Sequence, residues 1–347
     1  MTGTLARTPS PPALSRPRLG FLGVGWIGRD RMAGMLATGA VEAAGVVDPS
    51  PDNAAEAARL APEVESAKDL DALLGMDLDG VVIATPSALH ADQAVRALER
   101  GLAVFCQKPL GRSAAEARRV VDAARAADRL LGVDMSYRAT EAMERIRRLV
   151  GSRELGPIHA VDLVFHNAYG PDKAWFYDPA LSGGGCLMDL GVHLVDLMLW
   201  TLDFPEARVV SSHLFAEGRR LEDPAARCED LALATLELGG GGIARLACSW
   251  RLHAGRDAVI EAHFHGANGA AVMRNVDGSF YDFVAERHQG TTRRVLAEPP
   301  DAWGARAAAD WARRLAASRR YDPAVETVLK TSAVLDDVYA HQARTRP

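Results

Sequence analysis

The string Gly23-Val24-Gly25-Trp26-Ile27-Gly28 constrains this chain more than any other feature. A lone G-x-G-x-x-G carries little weight. Here it follows the apolar run Leu19–Val24 and precedes a helical pattern over Arg29–Thr38. In that setting it reads as the turn joining the first strand to the first helix of a dinucleotide-binding unit. Gly23 permits the tight turn, Gly25 lets a pyrophosphate approach the backbone, and Gly28 lets helix and strand pack closely. Trp26 and Ile27, inside the turn, are cofactor-binding candidates with them. The helix start offers unpaired N–H groups and a partial positive charge to phosphates. Asp48 ends the next strand, GVVD, 20 residues beyond Gly28. A carboxylate there accepts from ribose hydroxyls and repels a 2'-phosphate, and no Arg follows immediately. NAD is therefore expected rather than NADP.

The rest of the first half keeps the same rhythm. Val41–Val47, Gly80–Ala84, Leu102–Cys106 and Leu130–Met135 read as strands, separated by helical patterns over Asn53–Leu60, Ala91–Arg100 and Ser113–Ala127. Alternation of this kind implies right-handed crossovers and a doubly wound parallel sheet, a Rossmann-type α/β domain. Beyond about residue 150 longer strands dominate: Ile158–Asn167, Val209–Leu214, Leu231–Leu238, Ile243–Leu252 and Val259–His265. Gly239–Gly242 reads as a hairpin connection. Helices are expected at Asp189–Trp200 and Pro323–Ala343. The expected division is a disordered leader over 1–17, a cofactor domain over 18–137, and an α+β domain with a largely antiparallel open sheet over 138–347. The second domain is expected to bind substrate and to assemble a homodimer or homotetramer.

Composition narrows the partners. A net charge of -5 and a pI near 6.1 give no footprint for nucleic acid or an anionic membrane surface. No apolar run approaches the ~20 residues of a membrane-spanning helix, and the proline-bearing start lacks the apolar centre of a secretory signal. Cys106, Cys186, Cys228 and Cys248 are scattered without a C-x-x-C, as for reduced thiols in a cytoplasmic protein. His263 and His265 share a sheet face without further metal-site spacing, so no metal is expected.

Three segments carry chemistry. Ala84-Thr85-Pro86-Ser87-Ala88-Leu89-His90 and Gln107-Lys108-Pro109 stand at the ends of strands, where open α/β sheets bind ligands. The third runs Gly183-Gly184-Gly185-Cys186-Leu187-Met188-Asp189-Leu190-Gly191-Val192-His193-Leu194-Val195-Asp196. Asp189 and His193, four apart, are expected on one helix face, with Asp196 near the same stripe. The glycines ahead of them would let a ligand come close. His166, Tyr169, Trp175 and Tyr177 are further candidates for a pocket wall.

With these motifs in this order, the chain resembles the glucose–fructose oxidoreductase, inositol dehydrogenase and MocA-like family over about residues 18–340. The resemblance implies that Lys108, Asp189 and His193 line the substrate beside the nicotinamide. It also implies cofactor contacts at Thr85, Pro86, His90 and the Gln107-Lys108 pair. Gln107 stands where the family has the Glu of E-K-P, Ser87 where Asn is common, and Trp175-Phe176-Tyr177-Asp178-Pro179 lacks the Arg of W-R-x-D-P. The implied activity is hydride transfer between a nicotinamide and a secondary alcohol or ketone of a cyclic polyol, sugar or aminosugar, free or nucleotide-linked. Histidine suits the proton transfer because its pKa lies near neutrality, and a lysine can stabilise developing alkoxide charge. Two other activities fit the scaffold: a glycoside hydrolase that uses NAD transiently, and a regulator that senses dinucleotide or sugar without turnover. The first would give no net NADH; the second needs no acid–base groups.

Overall fold

The computed structural model describes residues 16–344, so the leader expected over 1–17 lies outside it up to residue 15. The first unit runs β1 (Arg18–Leu22), α1 (Trp26–Leu36), β2 (Glu42–Val47), α2 (Pro51–Leu60), β3 (Glu65–Ser66), α3 (Leu70–Leu74) and β4 (Gly80–Ile83). It continues through α4 (Ser87–Glu99), β5 (Ala103–Cys106), α5 (Ala114–Ala127) and β6 (Leu131–Val133). All pairings are parallel, in the order β3-β2-β1-β4-β5-β6. This is the doubly wound order whose switch point lies between the first and fourth strands. β4 and β5 are buried along their whole length, as strands covered on both faces should be. Ser113 caps α5 by accepting from the Glu116 N–H at 3.2 Å.

The second unit contains α6 (Glu141–Gly151), β7 (Ile158–Asn167), α7 (Pro179–Ser182), a π-helical turn at Leu187–Gly191 and α8 (Val192–Thr201). Then come β8 (Ala207–Ala216), β9 (Arg219–Arg220), β10 (Leu231–Leu238), β11 (Ile243–Ser249) and β12 (Ala258–Gly266). The described chain ends with β13 (Gly269–Asn275), β14 (Phe283–Gln289), β15 (Thr292–Ala297), α9 (Arg306–Ala317) and α10 (Val328–Arg344). These strands form one sheet in the order β15-β14-β13-β12-β7-β11-β10-β8-β9. Among the described residues only β7 and β11 pair in parallel within it. The β10–β11 hairpin turns at Gly240 and Gly241, both at positive φ.

α6, α8 and α10 pack on one face of this sheet. There Val161, Leu163, Phe165, Ile260 and Phe264 alternate inward, while Asp162, Glu261 and His263 point away. α9 lies elsewhere. Its Ala308, Trp311, Ala312 and Leu315 join Leu19, Phe21 and Met32 in the core of the first sheet, and Trp311 meets Phe105 at 5.6 Å between ring centroids. A segment from the C-terminal third thus returns to brace the cofactor unit.

Candidate active site

The glycine turn can be tested against the fold itself. A Cβ on Gly23 would lie 2.5 Å from the Ala84 carbonyl oxygen at a φ of +82°, and one on Gly28 would lie 2.0 Å from the Gly23 oxygen. These two glycines are required by the protein's own packing. Gly25 differs. The nearest atoms to its Cβ position are Lys173 Nζ at 3.7 Å and Asn53 Nδ2 at 4.0 Å, both at side-chain ends. Nothing in the folded chain forbids a side chain there, so the missing Cβ answers to a ligand, and a dinucleotide pyrophosphate fits. Asp48 sits behind the turn, accepting from the backbone N–H of Val24 (2.8 Å) and Ser50 (2.9 Å) and from Asn53 Nδ2 (3.1 Å). Arg29, unremarked in the sequence, reaches Asn53 Oδ1 at 3.0 Å and so brings a cation close to that carboxylate.

From this turn a cavity of about 340 Å³ runs past Trp26, Ile27, Thr85 and Gln107 to Lys108 and Asp189. A second, of about 350 Å³, shares Trp26, Ile27, Gln107, Lys108 and Asp189 and adds His193 and Tyr169. Lys108, at the end of β5, and Asp189 and His193, on one stretch of the second unit, therefore meet where the cavities join. The loop Ala168–Tyr177 from the second unit crosses the cleft, so Lys173 and Trp175 wall the first cavity. Pro86 caps the start of α4 beside Thr85. Thr85 Oγ1 donates to Gln93 Oε1 at 2.6 Å. Both ring nitrogens of His90 are taken by backbone oxygens, of Pro109 and Thr85, each at 2.7 Å. His90 lines the cavity but serves to tie the two strand ends together.

Asp189 and His193 do not pair as their spacing suggested. The turn at Leu187–Gly191 is π-helical, which displaces the four-residue register between them. Asp189 Oδ1 instead accepts from Lys108 Nζ at 2.8 Å, and its backbone oxygen from the same ammonium at 2.7 Å. Its Oδ2 accepts from Trp250 Nε1 at 3.2 Å. Two of the three ammonium donors are thus committed, leaving one for a ligand. His193 is buried against Tyr137, 4.7 Å between centroids. Burial, with the Lys108 ammonium and the Arg31 guanidinium adding to it, holds its pKa well below the usual imidazole value. The ring is therefore held in its neutral, unprotonated form.

Other expectations are redirected. Asp196 faces away from the cavity and holds Arg138 through both oxygens, at 2.7 and 2.5 Å. The glycine triplet answers largely to protein packing, since Cβ atoms on Gly184 and Gly185 would lie 2.0 Å from Tyr339 Oη and 1.9 Å from the Glu229 backbone oxygen. Glu229, which no motif flagged, is a fully buried carboxylate accepting from the N–H of Gly185 and Leu187 and from Tyr339 Oη. Burial pushes its pKa up, and its oxygens serve the free N–H groups that lead into the helix carrying His193. His166 bonds Ser249 Oγ at 2.8 Å.

A glycine cradle with room for a pyrophosphate, opening onto a neutral imidazole and an ammonium with one donor left, defines a dinucleotide-dependent oxidoreductase. Comparison with known sequences narrows that class, and the chain belongs to the Gfo/Idh/MocA oxidoreductase family. Residues 18–135 match the family's NAD-binding Rossmann domain and residues 143–272 its C-terminal domain. The rhizopine catabolism protein MocA of Rhizobium meliloti is 30% identical over 300 residues, covering 82% of this chain and 90% of that one. D-glucoside 3-dehydrogenase of Escherichia coli is 30% identical over 211 residues, covering 58% of this chain and 60% of its own length. Among solved structures, levoglucosan dehydrogenase with NADH superposes with a TM-score of 0.81 at 20% identity, covering 95% of this chain and 98% of that one. GenD2 from gentamicin A biosynthesis, in complex with NAD, gives 0.79 at 23% identity over 99% and 98%. The chain is thus an NAD-binding dehydrogenase or ketoreductase of a family acting on sugars and polyols. Among the described residues no helix is long and apolar enough to cross a membrane.

Proposed function

We propose that this protein interconverts a secondary alcohol and a ketone on a cyclic polyol, sugar or aminosugar derivative, free or nucleotide-linked, using NAD in preference to NADP. The observation that carries the proposal is the neutral, buried His193 sharing a cavity with Lys108, whose ammonium has a donor left for a substrate oxygen. The Gly23–Gly28 turn and the start of α1 would hold the phosphates and Asp48 the adenosine ribose. Thr85, Pro86 and Gln107 would flank the nicotinamide end. When bound, the nicotinamide supplies hydride acceptance or donation at the carbinol carbon. In oxidation His193 takes the hydroxyl proton, Lys108 steadies the oxygen as negative charge develops, and Asp189 aims the ammonium. In reduction the proton travels the other way. The buried thiols of all four cysteines support a reducing, cytoplasmic setting.

The test is NADH formation across inositols, sugars, aminosugars and nucleotide sugars. His193→Ala should bind NADH as the unaltered protein does and turn over ~10²–10⁴-fold more slowly. Because Asp189 pairs with Lys108, Asp189→Asn/Lys108→Ala should be little worse than Lys108→Ala alone. Bond cleavage without net NADH would point to the hydrolase instead, and near-full activity of His193→Ala would remove the imidazole from the mechanism.

A further inference from the structure

We infer that Asp134 is a positioning residue that turns the Gln107 amide so that its oxygen faces the cofactor cleft. The inference rests on the proposed cofactor site, because Gln107 lines both cavities where they join. Gln107 is fixed at the end of β5, with its backbone N–H donating to the Ile83 oxygen at 2.9 Å. Behind it stands Asp134, just beyond β6, with a wholly buried side chain. One oxygen of that carboxylate, Oδ2, accepts from Gln107 Nε2 at 2.5 Å and from Arg31 Nε at 2.6 Å.

The polarity of this contact decides the orientation of the amide. The two ends of a glutamine amide are alike in shape and are distinguished only by their partners. An ionised carboxylate accepts and cannot donate, so the end facing Asp134 must be the NH₂. The oxygen is then on the opposite side of the planar amide, toward the cavities, and no protein donor reaches it among the described residues. The other Asp134 oxygen, Oδ1, is buried without a donor. Burying an unsatisfied acceptor is costly, and a carboxylate placed for stability alone would avoid it. An acceptor thus faces the cleft as a glutamate would supply one, but without charge. The negative charge sits one layer deeper and is balanced by Arg31.

Isosteric exchange separates this role from simple packing. Asp134→Asn frees the amide to turn and takes the carboxylate from Arg31, and should weaken NADH binding about 3- to 10-fold, the worth of one hydrogen bond. Gln107→Glu sets two carboxylates against each other, so one must hold a proton. Its NADH affinity should fall at pH 8 and recover toward pH 5. The double variant Gln107→Glu/Asp134→Asn exchanges the two groups. Because both contacts fall on the one atom Oδ2, the amide introduced there turns its NH₂ to the new carboxylate and leaves Arg31 to Asp30, and affinity at pH 8 should recover above that of Gln107→Glu. Binding is read by NADH fluorescence titration, which needs no substrate and so stays informative if every sugar tested is inert. Should Asp134→Asn fail to fold, Gln107→Met tests the amide oxygen alone and should lose the same 3- to 10-fold. A double variant no better than the sum of its parents, or a Gln107→Met protein that binds NADH normally, overturns the inference. Failure of the unaltered protein to bind NADH overturns the cofactor reading and this inference with it.

Discussion

At the scale of single residues, the three glycines of the turn make different demands. Gly28→Ala would press a methyl into the Gly23 backbone oxygen and should cost the fold itself, seen as a large drop in melting temperature. Gly25→Ala meets no backbone, so the protein should melt as before while NADH affinity falls about tenfold or more. Equal NADH affinity in Gly25→Ala would remove the pyrophosphate from that cradle. Asp48→Ser should narrow the preference for NADH over NADPH, and further than sequence alone suggests. The Arg29 guanidinium is already held near the ribose position through Asn53 and would face a 2'-phosphate once the carboxylate is gone. Titration with both cofactors decides it; an unchanged ratio would place the discrimination elsewhere. His193 supplies a pH test. Its pKa lies well below the unfolded value, so the neutral base is present through neutrality and is lost only in acid. The acid limb of kcat/KM for oxidation should therefore fall well under pH 6.5, and a limb at or above that value would show another group titrating.

At the scale of elements, the strands and helices that carry the cofactor were legible because periodicity and punctuation agreed. Apolar runs ended in glycine or acid, and caps such as Ser113 opened the helices. What escaped had weak patterning. α9 presents only Ala308, Trp311, Ala312 and Leu315 to the core, an inward face made mostly of small or single bulky groups, and its partner sheet lies far back in the sequence. β13 opens on Gly-Ala-Ala, and β15 carries Thr292, Arg293 and Arg294 exposed on the sheet edge, so neither alternates clearly. The site was legible as residues but not as contacts. Spacing placed Asp189 against His193, and the π-helical turn gave it to Lys108 instead. The loop Ala168–Tyr177 carries no motif at Lys173, yet it sets that lysine over Gly25, with no anionic partner among the described residues. That ammonium stands where a cofactor phosphate would come, on a loop that lacks the Arg of W-R-x-D-P. Lys173→Met should weaken NADH about tenfold at low salt and by less at high salt, with the fold unchanged. Equal affinities at both ionic strengths would mean that the lysine does not reach the phosphates.

At the scale of the whole molecule, the large sheet of the second unit has one face covered by helices of its own chain and one face left open. The open face carries Leu233 and Ile243, 37% and 40% exposed, beside a shallow depression of about 410 Å³ lined by Val164 and Ala247. Around them lie charges of both signs, including Asp162 paired with Arg245 at 2.6 Å and Glu261 beside His263 at 3.2 Å. A surface that mixes apolar centres with both charges can complement itself under a two-fold axis. We therefore expect a homodimer or a homotetramer built on this face. Its assembly would leave the cofactor cleft free, because the cleft lies on the side of the covering helices, where α8 carries His193. Light scattering at micromolar concentration should give a multiple of 37.2 kDa. The double variant Leu233→Asp/Ile243→Asp puts like charges on the two apolar centres of that surface. It should shift the mass toward the single chain while NADH binding persists. An unaltered protein that scatters as one chain would contradict assembly outright. A variant that stays assembled would move the interface to another surface.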